Sequence, residues 1–298
     1  LLGAALLAGC SADSQNVLTQ HNNMFRTGAT LTETVLNTSN VRPGQFGKLY
    51  TRIVDGEIFA QPPYVEGVEI PGKGRHNVAY VATMKNNIYA FDADDDDPRP
   101  EAGLLWGPFH LGEPEQGRID INGTLPPGQS CPSVAYYGIA SAPVIDPGRN
   151  WMYLVAKTID AYGAPHQMLH RIDVRTGAGA NPTPQNRPIE VTTGVSDDIF
   201  AKQLNRAGLL LSNGSVYLAF GGHCDFPFDR TVAGSYHGWV LAYDAKSMTK
   251  CQFNTTPNGF RGGIWQSGNG LTRKRLLPDR KQGKSRGARY LTRSNRSP

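Results

Sequence analysis

Short runs in which apolar and polar residues alternate, broken by turn residues, dominate the chain. Val78-Ala79-Tyr80-Val81-Ala82-Thr83 reads as a strand, Met84-Lys85-Asn86-Asn87 as a turn, and Asn87-Ile88-Tyr89-Ala90-Phe91-Asp92 as the next strand. The same pair recurs as Trp151–Ala156 with Met168–Asp173, and as Val216–Phe220 with Trp239–Asp244. Each second strand closes on an apolar or aromatic residue followed by aspartate: Asp92, Asp173 and Asp244. A further strand is expected before each pair, at Phe59–Val65, Ala140–Asp146 and Gly208–Ser212. A fourth is expected after each, near Leu104–Leu111, Arg187–Thr193 and Lys250–Asn254. The repeating unit is therefore a four-stranded antiparallel meander. Another copy starts at Gly263-Ile264-Trp265-Gln266-Ser267-Gly268.

Composition agrees with an all-β chain. The 298 residues include 34 Gly and 21 Pro, which argues against long helices. No run of about 18 apolar residues occurs, so no complete membrane-spanning helix is present. The formal charge of +5 is unevenly placed. From Thr272 onward ten Lys or Arg face a single acid, Asp279, and the preceding residues are mildly acidic. Nucleic-acid binding by the body of the protein is therefore not expected.

Meanders of this kind, repeated along a chain, describe propeller blades. The phrase Ile88-Tyr89-Ala90-Phe91-Asp92-Ala93, with Trp106 downstream, resembles the tryptophan-docking repeat of quinoprotein-type β-propellers. Arg171-Ile172-Asp173-Val174-Arg175-Thr176-Gly177 matches its Asp-x-x-Thr-Gly turn without a following Trp. Ala242-Tyr243-Asp244 matches the strand and lacks both the Gly and the Trp. The expected fold is an all-β, partial β-propeller over residues 45–271, with about three blades, part of a fourth, and an incomplete ring. Phe46–Ile53 looks like a strand before the first blade, and in propellers such a strand often completes the last blade.

The segments outside the propeller carry their own signals. Residues 1–10 end in Leu7-Ala8-Gly9-Cys10, which resembles the lipobox of bacterial lipoprotein signals. The resemblance implies lipidation at Cys10, a membrane anchor, and a periplasmic or outer-membrane-facing protein. Residues 11–44 read as a tether and an irregular segment. Residues 272–298 break the strand pattern in mid-blade. They read either as a disordered basic tail for nucleic acid or anionic lipid, or as a shifted reading frame, and the abruptness of the break favours the second.

Candidate chemistry sits in two long loops expected on one face. His110–Gly138 holds Cys131, Tyr136 and Tyr137; Gly221–Tyr236 holds His223, Cys224, Asp225 and Phe226. Because the loops lie on adjacent blades, a Cys131–Cys224 disulfide is possible, with two independent thiols as the alternative. Cys251, on an outer strand, is expected to pack. Tyr136, Tyr137, His223, Asp225 and Phe226 are the candidate ligand-face residues. His223-Cys224-Asp225 lacks a second ligand pair at metal spacing, and no Cys-x-x-Cys occurs. Asp94–Asp97 lacks the spacing of a calcium loop and reads as a solvated turn.

The quinoprotein resemblance brings in pyrroloquinoline quinone and calcium as cofactors. The vicinal Cys-Cys pair typical of those enzymes is absent from this sequence, so these cofactors belong only to a longer parent. No catalytic or metal-ligating residue is assigned. The favoured reading is a non-catalytic binding or scaffold protein that meets an envelope protein or surface polymer through its loop-rich face. The alternative is a fragment of a periplasmic quinone-dependent dehydrogenase acting on alcohols or sugars.

Overall fold

The computed structural model describes residues 15–117, 134–179, 187–194, 203–222, 236–259 and 262–273. Among them there is no α-helix, and strands account for almost all the regular structure. Blade 1 is a four-stranded antiparallel meander of β1 (Tyr64–Ile70), β2 (Gly74–Ala82), β3 (Asn87–Asp92) and β4 (Leu104–His110). A two-strand ribbon, β5 (Glu115–Gln116) with β6 (Tyr136–Tyr137), sits in the connection to the next blade. Blade 2 is β7 (Val144–Asp146), β8 (Trp151–Ile159), β9 (Pro165–Asp173) and β10 (Ile189–Glu190). Blade 3 has an inner edge split into β11 (Gln203–Leu204) and β12 (Leu210–Ser212). Both pieces pair with β13 (Ser215–Gly222), which is followed by β14 (Trp239–Asp244) and β15 (Lys250–Asn254). The molecule is thus an all-β arc of successive blades.

The aspartates that end the third strand of each blade close the following turn. Asp92 Oδ1 accepts the Asp94 amide, Asp173 Oδ1 the Arg175 amide, and Asp244 Oδ1 the amides of Lys246 and Ser247. Each is an Asx-type turn, in which a short carboxylate replaces a backbone acceptor.

Blades dock through apolar faces. Between blades 1 and 2, Val78, Tyr80, Ile88 and Trp106 pack against Met152, Leu154 and Ile172. Between blades 2 and 3, Tyr153, Val155 and Leu169 pack against Leu218, Phe220, Trp239 and Leu241. One carbonyl per junction receives a tyrosine hydroxyl from the preceding blade. Tyr80 donates to Val174 O at 3.1 Å and Tyr153 to Ala245 O at 3.1 Å. Each acceptor belongs to the residue after a turn aspartate. Trp106 Nε1 also donates to Val174 O, at 3.0 Å. Gly177, with φ +70°, leaves room for this docking, because a Cβ there would stand 2.2 Å from Phe109 Cε2.

The chain before blade 1 forms a strap across the inner edges of all three blades. Val17 bridges Tyr64, Leu18 O accepts the Ile145 amide, and Thr19 Oγ1 donates to Leu209 O. The buried Arg26 guanidinium then donates to the carbonyls of Gln20, Gly208, Leu209 and Leu271 and to Thr19 Oγ1.

Several expected boundaries differ. The first strand begins at Tyr64 rather than Phe59, because Pro62 and Pro63 have no amide to donate. In blade 2 only Val144–Asp146 of the expected Ala140–Asp146 pairs, after Pro143, and the outer strand shrinks to Ile189–Glu190. Gly263–Gly268 is not a strand: it ends in a 3₁₀ turn, Gln266–Gly268, and only Gly270 bridges Gly208. Phe46–Ile53 joins no ladder. Cys251 is exposed on β15 rather than packed, because this edge strand is exposed on both faces from Lys250 to Phe253. Around Asp94–Asp97 the Arg52 guanidinium donates to the carbonyls of Asp95, Asp97 and Arg99.

Candidate functional site

The β2–β3 turn, the β8–β9 turn and the connections between blades emerge at the same end of the strands, which defines a connection face. Here Asn86, at φ +59°, donates from Nδ2 to Gly112 O and to Lys157 O, tying the blade 1 turn to the end of β8. Gly138 lies against this turn, where a Cβ would stand 2.3 Å from Met84 O. The ribbon strand β6 follows the same path. Tyr137 is buried with Met84, Ala140 and Leu204. Burial, and then the charge of Glu115, raises its hydroxyl pKa. Tyr136 is half-buried with Lys85 Nζ 5.2 Å from its ring centroid. Cys10, Cys131, His223, Cys224, Asp225 and Phe226 lie outside the described residues.

Alongside this ribbon the fold buries a polar group that the sequence reading did not single out. Lys157, only 1% exposed, places Nζ 2.5 Å from Glu115 Oε2. Its cross-strand neighbour Gln167 donates from Nε2 to Gln203 O at 2.7 Å. Gln203 is 0% exposed, held where β11 pairs with Gly222 of β13. Neither side-chain atom of Gln203 has a hydrogen-bond partner, nor does Gln167 Oε1. Leaving a buried amide unsatisfied costs about 1–3 kcal/mol per group. Nearby, Ser141 Oγ donates to Asn205 Oδ1 and Asn205 Nδ2 to Ala219 O, so those two are satisfied.

The unpartnered amides offer a donor pair and two carbonyl acceptors beside a buried ion pair. That set suits hydroxyl- or amide-bearing groups. The signal in the sequence was faint: Lys157 reads as the end of an apolar strand, and Gln203 stands in a stretch without alternation.

A quinone cofactor with calcium does not fit the described part of this face. The Lys157 ammonium, a cation that a carboxylated quinone would need, already faces Glu115. No group of three or more His, Cys, Asp or Glu close enough to hold a metal ion occurs among the described residues.

No protein-family model matches the chain, and no curated protein matches it. Among solved structures the chain is similar to the quinohaemoprotein alcohol dehydrogenase ADHIIG of Pseudomonas putida HK5, with 20% identity and a TM-score of 0.40. The match covers 70% of this chain and 22% of the enzyme's, so the chain spans well under half of that protein's length.

Proposed function

We propose that this chain is a non-catalytic binding module of the bacterial cell envelope, anchored through a lipid at Cys10. It holds a polar surface polymer on the connection face of its blades. The observation that supports this reading is a pair of buried amides: both side-chain polar atoms of Gln203 lack a partner, and of Gln167 only Oε1 does. Groups left unsatisfied at a cost to folding are a mark of sites kept for something other than stability. A hydroxyl-rich polymer supplies the missing donors and acceptors, which favours a polymer over an apolar protein surface.

The test uses the full chain and isolated peptidoglycan sacculi in a co-sedimentation assay, with Gln203→Leu beside it. Removing an unsatisfied amide is expected to leave the melting temperature unchanged or raise it. Retention on sacculi should nonetheless fall at least ten-fold. Equal retention of both proteins, or none of either, overturns the reading. Dye reduction with an alcohol or sugar after adding pyrroloquinoline quinone and calcium would establish the dehydrogenase alternative instead.

A further inference from the structure

At the connection face, the segments that lead into the inner strands converge on one guanidinium. Arg206 lies between β11 and β12, in the same segment as Gln203. Its Nη1 donates to Ala140 O, in the segment before β7, at 3.1 Å. Its Cζ stands 5.7 Å from the ring centroid of Phe59, in the segment before β1. Gly268, in the turn after blade 3, lies so close that a Cβ there would collide with the guanidinium. The lead-in segments of all three blades thus border this group. The place is the inner mouth of the arc, where propellers leave a central channel, so its exposure does not depend on which blade comes next around the ring.

Arg206 is used differently from Arg26, another arginine at the inner edge. Arg26 is buried, and its guanidinium meets five acceptors. Arg206 is half-buried, and among the described residues Ala140 O is its one acceptor. Burial lowers its pKa, and no carboxylate acts on it in the opposite direction. A partly desolvated guanidinium with no acid beside it and N–H groups to spare is a receptor for a carboxylate, which its planar fork can hold through two parallel bonds. Phe59 remains 39% exposed beside this cation. An exposed aromatic ring next to a few convergent polar groups suits a ligand with a ring of its own better than a bare ion.

We propose that the inner mouth binds an acidic sugar unit, its carboxylate paired with the fork of Arg206 and its ring laid against Phe59. The inference rests on the polymer reading above and narrows it to a glycan that carries carboxylates on its sugar rings.

Calorimetric titration with trigalacturonic acid tests this, on the full chain carrying Cys10→Ser and at physiological salt. The fully methyl-esterified trisaccharide keeps the rings and loses the charge. The parent should bind the acid at least ten-fold more tightly than the ester. Arg206→Gln keeps a donor for Ala140 O, and it should weaken binding of the acid at least ten-fold and erase the preference over the ester. Arg206→Lys keeps the charge without the fork and should recover only part of the affinity. Phe59→Leu should weaken both sugars. Melting temperatures check the fold, and the comparison of acid with ester in the parent stands even if Arg206→Gln fails to fold. No binding, or equal binding of acid and ester, would overturn the inference. So would a preference that survives in Arg206→Gln, which would belong to the basic residues after Leu271. Displacement of the trisaccharide by an equal concentration of inorganic phosphate would overturn it in favour of a bare-anion site, and displacement by pyrroloquinoline quinone in favour of the dehydrogenase alternative. A parent retained on sacculi that ignores the trisaccharide would sink this inference alone and leave the polymer reading standing.

Discussion

His170 is the residue whose burial has the clearest consequence. It lies on β9 opposite Leu154, 2% exposed, and neither ring nitrogen has a hydrogen-bond partner. Burial makes the charged ring costly and lowers its pKa from 6.5 to about 4. The unfolded chain therefore takes up this proton at a higher pH than the folded one. The neutral ring's contribution is complete above pH 6.5 and is lost as pH falls toward 4, by about 3 kcal/mol in all. Urea unfolding of the parent at pH 7.5, 5.5 and 4.5 should show this decline, and His170→Leu should flatten it by a comparable amount. Identical pH slopes in the two proteins would rule the account out. Nothing in the sequence signalled this group, because Met168-Leu169-His170-Arg171 reads as one strand whichever face the histidine takes.

At the scale of elements, the strands that could be read from the sequence are those with their own partners on both sides. The second and third strands of each blade, and the aspartate that ends each pair, were legible because alternation and turn chemistry are local signals. The innermost strands were legible in place but not in extent. β7 and β12 are three residues each, and Ile145 within β7 and Leu209 just before β12 bond to a strap far away in sequence. The buried amide of Gln203 escaped for the same reason, since its burial is decided by β13 and not by its own flanks. The tyrosines Tyr80 and Tyr153 were visible as strand residues, but their register role depends on the adjoining blade. Tyr153→Phe tests that role. It keeps the ring and removes the donor to Ala245 O in a fully buried setting. A loss of about 1–2 kcal/mol in denaturant stability is expected, with an unchanged denaturant slope. Tyr50→Phe, which removes the donor to Ala93 O at a half-buried site, should lose less. A neutral Tyr153→Phe would mean that the hydroxyl is not what joins blades 2 and 3.

At the scale of the whole molecule, the question is what holds an open arc of blades in one arrangement. Two apolar junctions fix neighbours, and among the described residues only the strap touches all three blades. Its hold on the far end is concentrated in Arg26, whose guanidinium is buried without a carboxylate partner and whose pKa burial lowers to about 10. The charge is satisfied instead by four carbonyls and the Thr19 hydroxyl, drawn from the strap itself, from the segment before β12 and from Leu271. Arg26→Leu would strand those carbonyls in a dry site and should cost at least about 3 kcal/mol. Arg26→Lys should recover little, since a single ammonium cannot span the same fork of acceptors. Hydrogen exchange separates loss of the strap from general unfolding. The Ile145 amide, which donates to Leu18 O, should exchange far faster in Arg26→Leu, while amides within the β8–β9 ladder keep their protection. If Ile145 exchange is unchanged, the strap is held elsewhere and the blades keep their arrangement through the two junctions alone.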